Sequence, residues 1–143
     1  MDKMDFYGSS EKELRLQSKL NWKVMQFNKA LATLIGAINE KDITAYVEDS
    51  IIQRFEYTYE LAWGTLKTLL EIKGVQLRFP SDIFSEAFMA GWINNAEAWK
   101  AMIDDRNLTS HEYKEFYVIR IRKDIREIYS KCFEYLSVKL GGI

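Results

Sequence analysis

The sequence predicts an all-α protein, an up-and-down bundle of three long and two short helices. Three observations predict it. Apolar residues recur every three or four positions through three long stretches. One proline and seven glycines leave too few turns for a sandwich or barrel of short strands. The composition, 48% hydrophobic and 29% charged, is that of a globular chain. At 143 residues it makes one domain.

Residues 1–10 show no helical period and are expected to form a flexible N-terminal arm, followed by a single domain over 11–140. Ser10 and Glu13 fit an S-x-x-E capping box. The first long helix then carries Leu16, Leu20, Val24, Phe27, Leu31, Leu34 and Ile38 on one face, and "NEKD" (39–42) ends it. A second long helix is expected from about Thr44 to Lys73, with the stripe Ile51, Phe55, Tyr59, Ala62, Leu66 and Leu69. Gly74 suits the position beyond its end. "VQLRFP" (75–80) reads as an extended connector, because the residue before Pro80 is biased away from the helical region.

Ser81 is expected to cap a short helix to about Ala90, with Ile83, Phe84, Ala87 and Phe88 apolar and Gly91 as its stop. Asn94 and Glu97 resemble a second capping box, opening a helix with Trp99, Met102 and Ile103 on one side. A last long helix over roughly 112–138 carries Val118, Ile121, Ile125, Ile128, Cys132 and Tyr135, and Gly141–Gly142 ends it. Aromatic residues reach 14%, more than a small helical core needs, so some are expected on a dimer face.

Composition also narrows function. A net charge of −1 gives no global field for nucleic acid, so any RNA contact must come from a local cluster. The lone Cys132 has no disulfide partner, which fits a reducing cytoplasm, and reads as a small buried apolar residue. The acidic opening MDKMDFYGSS suggests no signal peptide, and no stretch approaches the roughly 20 apolar residues of a membrane span. One His and one Cys exclude a Cys/His zinc site within one chain, and no glycine-rich phosphate loop is present. Glu56 and Glu60, one turn apart, read as a solvated face or as ion-pair partners for Arg54 and Lys67.

The stretch with chemical potential is "DDRNLTSHEY" (104–113), which holds the single histidine. Thr109 and Glu112 fit a T-x-x-E capping box, which would put His111 in or just before the first turn of the last helix. A helix start offers free N–H groups to a phosphate, and Arg106 could bind the same oxygens through two donors. A histidine there could move protons in a phosphodiester cleavage that needs no metal. On spacing alone, a solvated capping histidine and a phosphate-site histidine both stay open.

"DRNLTSHEY" resembles the R-x4-H motif of the HEPN superfamily, and with Tyr113 the R-x4-H-x-Y form of HepT-like toxins. The blocks "FEYTYELAWGTLKTLLEIKG" (55–74), "SEAFMAGWI" (85–93) and "MIDDRNLTSHEY" (102–113) are similar to the nucleotidyltransferase substrate-binding protein family, over roughly residues 12–140. The resemblance implies a helical bundle like the helical domain of antibiotic nucleotidyltransferases, working beside a minimal nucleotidyltransferase chain. The nucleotide and divalent metal would sit on that partner, with no cofactor in this chain. By resemblance, the protein is a homodimeric, metal-independent RNase toxin whose partner silences it by adding AMP units to the motif tyrosine. Arg106 would bind the scissile phosphate, His111 transfer protons, Asn107 orient the motif and Tyr113 accept the modification. Lys114 departs from the acidic residue common after that tyrosine and leaves the helix start open. The family's earlier reading, a non-catalytic subunit presenting substrate to the nucleotidyltransferase, is the alternative; a helical scaffold with an idle motif is a third. Glu56, Glu60 and Trp63 fall in a family-like block that could line the same cleft, but helix packing and surface charge explain them and no role is assigned.

Overall fold

A computed structural model of the chain describes residues 3–111 and 114–142, with side chains described from Ser10 onward except that of His111. Six α-helical segments follow in order: α1 (Lys3–Ile38), α2 (Ala45–Ile72), α3 (Pro80–Met89), α4 (Ala96–His111), α5 (Glu115–Asp124) and α6 (Ser130–Gly141). A π turn over Ile125–Tyr129 joins α5 to α6, making them one continuous rod. Three long and two short helices are therefore present, as the periodicity predicts.

The termini show how local chemistry sets the elements. Thr44 caps α2, its hydroxyl accepting from the Val47 N–H at 3.2 Å. Gly74, at φ 85°, closes the other end: Gly74 N–H donates to Glu71 and Val75 N–H to Leu70, the paired bonds of a Schellman motif. Gly91 (φ 79°) repeats this after α3, with Trp92 N–H donating to Ala87.

Several expected starts move. Helix α1 begins at Lys3, so Ser10 lies inside it and does not cap it. Pro80 occupies the first turn of α3 after Phe79, ahead of the expected Ser81, because a proline lacks the N–H that position cannot use. Asn95 rather than Asn94 starts α4, its side-chain oxygen accepting from the Ala98 N–H at 3.2 Å. Asn95 adopts φ 53°, a left-handed conformation that asparagine tolerates.

The core is aromatic and draws on every long helix. Phe55 of α2 stacks on Tyr129 at 5.5 Å between ring centres. Trp99 of α4 lies 5.0 Å from Phe84 and 5.6 Å from Phe133. Phe27 of α1 meets Phe133 edge-on at 6.2 Å. All six expected α2 stripe residues are buried. In α3, Phe88 departs from the expected face and is half exposed.

The last helix departs from its expected stripe midway. Val118, Ile121 and Ile125 are buried, but Ile128 is 38% exposed, Tyr135 is partly exposed, and Tyr129, Phe133 and Leu136 turn inward. The π turn lies where the pattern changes. It holds one more residue than an α turn, and beyond it the buried face widens: Cys132 stays buried as expected and Phe133 joins it. Tyr129 reaches Asp105 of α4, donating its hydroxyl proton to Oδ2 at 2.5 Å. Arg120 completes the carboxylate's coordination through Nη2 to Oδ1 at 2.8 Å. From the same stretch of the rod, Arg122 and Arg126 both pair with Glu48 of α2.

This packing can be tested by substitution. Asp105→Ala strands a buried tyrosine hydroxyl and frees an arginine, and is expected to cost about 2–4 kcal/mol; urea unfolding would show a lower midpoint at unchanged slope. Burial pushes the Cys132 thiol up to about 11 from an ordinary value of 9.0. The folded state then holds this proton where the unfolded chain has lost it, so stability falls as pH rises from about 9 to about 11. Cys132→Ala is expected to flatten part of that fall in urea midpoints measured across the range.

Candidate functional site

Consecutive residues of α4 are tied in opposite directions. Asp105 is held by the last rod, while Arg106 crosses to α2. Arg106 Nη1 donates to Glu56 Oε2 at 2.6 Å. Its Nε lies 3.4 Å from Glu60 Oε1, an ionic contact that falls short of a hydrogen bond and leaves the buried Nε–H unpaired. Trp63 closes the group, its indole N–H donating to Glu60 Oε2 at 2.9 Å. Glu56, Glu60 and Trp63 stand at intervals of four and three, so they share one face of α2; the two glutamates meet the guanidinium and Trp63 meets Glu60.

The pairing with Arg54 and Lys67 expected for these two glutamates does not form. Arg54 donates instead to Ser50, one turn back. The E-x3-E-x2-W spacing was the available signal for the Arg106 clamp. It is a pattern that solvated helix faces share, and only the approach of α4 distinguishes the two. Tyr59, buried one residue before Glu60, has its phenol pushed well above the usual range by burial, with Glu60 adding to the effect and Arg106 opposing it. It stays a neutral wall of the site.

Arg106 is about a quarter exposed at its side chain and Asn107 is exposed. Thr109 does not cap the last helix. It lies within α4, and its hydroxyl donates to the Arg106 carbonyl at 3.0 Å, as does Ser110 at 3.1 Å. The backbone of His111 closes α4, and α5 starts only at Glu115. His111 therefore stands at a helix C-terminus, where carbonyls rather than N–H groups are unpaired, and the expected N-terminal phosphate cradle is absent at this residue. The His111 side chain, Glu112 and the expected modification target Tyr113 lie outside the described residues. On a regular helix, residues five apart differ by about 140° and by about 7.5 Å along the axis. The helical path of α4 thus brings Arg106 to α2, with the backbone of His111 about one turn and a half further on at the end of the same helix.

Beyond the motif, Phe116 and Ile119 stand exposed on α5 at a spacing of three, so they share a face. Among the described residues, no helix is long and apolar enough to cross a membrane.

Comparison with known proteins agrees with this architecture. Over 80% of its length the chain superposes on a crystal structure of a protein from Thermus thermophilus, with a TM-score of 0.72, 32% identity and 98% of that chain covered. It is 29% identical over 115 residues to the probable ribonuclease HepT of Haemophilus influenzae, spanning 77% of this chain and 69% of the relative. Residues 22–141 match the family model described as nucleotidyltransferase substrate binding protein like. The chain belongs to the nucleotidyltransferase substrate-binding protein family.

Proposed function

We propose that the chain is the helical subunit of a two-component minimal nucleotidyltransferase module and that it cleaves RNA without a metal, through Arg106 and His111. The observation that carries the reading is the Arg106 clamp. A guanidinium is fixed by Glu56 at 2.6 Å five residues before the only histidine, in a chain similar to a probable ribonuclease HepT.

In the proposed reaction a ribose 2′-hydroxyl attacks the adjacent phosphorus, the bond to the 5′-oxygen breaks, and the leaving oxygen takes a proton. His111 transfers protons in this exchange, and Arg106 meets the charge that builds on the non-bridging oxygens. Asn107 orients the motif. One histidine supplies only one end of the proton transfer, so a homodimer that brings two motifs together would supply an acid and a base. The exposed Phe116 and Ile119, just beyond the motif, are the kind of apolar face such a contact covers. Nucleotidylation of Tyr113 by the partner would add a phosphodiester anion to the motif and compete with RNA for Arg106. The nucleotide and the divalent metal for that step belong to the partner chain. A cytoplasmic location follows from this role and accords with the free, buried Cys132.

A second reading is favoured by the family's own description: a non-catalytic subunit presenting substrate to the nucleotidyltransferase. The two readings separate on the isolated protein. On the first, the purified chain cleaves RNA in EDTA, and Arg106→Ala or His111→Ala lowers the rate by about 10²-fold or more without loss of fold. Intact RNA with the wild-type chain, alongside small-molecule activity only in the complex, would establish the second.

Glu56→Ala removes the group that orients Arg106 and is expected to lower kcat by up to about 10²-fold, with KM less affected; single-turnover cleavage measures it. Incubation with the nucleotidyltransferase and ATP is expected to add the mass of AMP units to the wild-type chain and none to Tyr113→Phe, read by intact mass spectrometry.

A further inference from the structure

Within the net charge of −1 stands a local row of cations. On α1, Lys12, Arg15, Lys19 and Lys23 follow one another at intervals of three and four, which gathers them within an arc of about 80° on the helix. Lys12, Arg15 and Lys19 are exposed and Lys23 is half-buried. The Lys23 ammonium donates to the Gly64 carbonyl of α2 at 3.2 Å, so the ridge abuts α2. Burial lowers the Lys23 pKa, with Lys19 and Lys67 adding to the effect and Glu71 opposing it. Lys67 and Arg78 meet across a recess of about 400 Å³ that Glu71, Gln76 and Leu77 also line. None of Lys12, Arg15, Lys19, Lys67 and Arg78 forms an ion pair among the described residues. Six cations thus share a surface whose recess holds one carboxylate, Glu71.

This surface is continuous with the Arg106 clamp. Glu56, Glu60, Trp63 and Lys67 follow at intervals of four, three and four on α2, so they lie on one face, and Lys67 stands about 10 Å along the helix from Glu60. Trp63 sits between the two ends, partly exposed, with its ring direction set by the bond to Glu60.

We propose that the ridge of Lys12, Arg15, Lys19 and Lys23, with Lys67 and Arg78, is the docking track for single-stranded RNA, leading the strand past Trp63 to Arg106. This rests on the RNA-cleavage reading. Cations repeated at one-turn intervals along a line match a line of phosphates. A partly exposed indole between the track and the clamp offers a base a stacking face, the combination that binds single strands without sequence preference. Gln76, in the recess beside Arg78, adds an amide for base edges or phosphates.

The test uses the full chain carrying His111→Ala, so that RNA survives, and a fluorescent, unstructured single-stranded RNA titrated at several salt concentrations. Adding Lys19→Glu, Lys67→Glu and Arg78→Glu is expected to weaken binding by about tenfold or more and to flatten the plot of log affinity against log salt by about two. In the cleaving background the same three changes should raise KM and hold kcat. The glutamine versions, with circular dichroism as a check, replace the reversals if these disturb folding. Unchanged affinity and salt slope overturn the track, and do so without touching the cleavage reading if the variant still cuts with unaltered KM. Salt-dependent binding lost in the triple variant, with no cutting by wild type, supports the track and removes the cleavage reading. Loss of the nucleotidyltransferase partner with RNA binding unchanged makes the ridge a protein-docking surface and overturns the proposal.

Discussion

A buried carboxylate organises the site end of this bundle. Asp105 is almost wholly enclosed, and an ionised group there is tolerated only if its lone pairs are met. Tyr129 and Arg120 meet them, both from the last rod. Burial and the adjacent carboxylate together push the Tyr129 phenol well above its usual range, so it remains a hydrogen-bond donor at any ordinary pH. Because Asp105 is fixed to one side, its neighbour Arg106 is aimed at the other, toward Glu56 and Glu60. Two consecutive residues thus clamp α4 between α2 and the last rod, and this clamp determines where the helix delivers His111.

Tyr129, the last residue of the π turn at Ile125–Tyr129, supplies the hydroxyl contact to Asp105. It stands four residues after Ile125 and so keeps to the buried face that Val118, Ile121 and Ile125 begin, while Ile128 turns partly outward. The insertion costs helical regularity, and that cost is offset by a tyrosine that both stacks on Phe55 and satisfies Asp105. A local irregularity in one helix therefore supports the position of an arginine on another. Such irregularities persist where the surrounding packing over-determines them.

Much of the fold is legible from periodicity, because helix faces are set by local spacing. The α2 stripe and the glycines at 74 and 91 are examples where the local rule and the tertiary outcome coincide. The departures arise where a rule based on nearest neighbours meets a longer constraint. The capping patterns at Ser10 and Thr109 are chemically sound, yet both residues lie inside helices that simply continue past them. A serine or threonine can satisfy its hydroxyl within a helix by donating to a carbonyl one turn back, as Thr109 does to Arg106. The π turn leaves no mark in composition. In the candidate site, Arg106 is recognisable by its place before His111, but its partners stand 46 to 50 residues earlier on another helix, and no spacing rule within one element reaches that far.

The same geometry divides the electrostatic work of the molecule. Arg106 faces two carboxylates at close range, so this group as a whole carries no surplus positive charge. It holds a guanidinium in a defined direction, which suits orientation at short range and gives little attraction at long range. A polyanion approaching the clamp alone would meet Glu56 and Glu60 as well as Arg106. On the proposed reading, recruitment would come from charge that is not locally neutralised, such as the cations on α1 and beyond the far end of α2 around Lys19, Lys23, Lys67 and Arg78. On that reading, separating the cations that attract from the cation that orients would let a nearly neutral protein engage a highly charged ligand at one place on its surface, with the face of α2 that carries Trp63 as the physical link between the two.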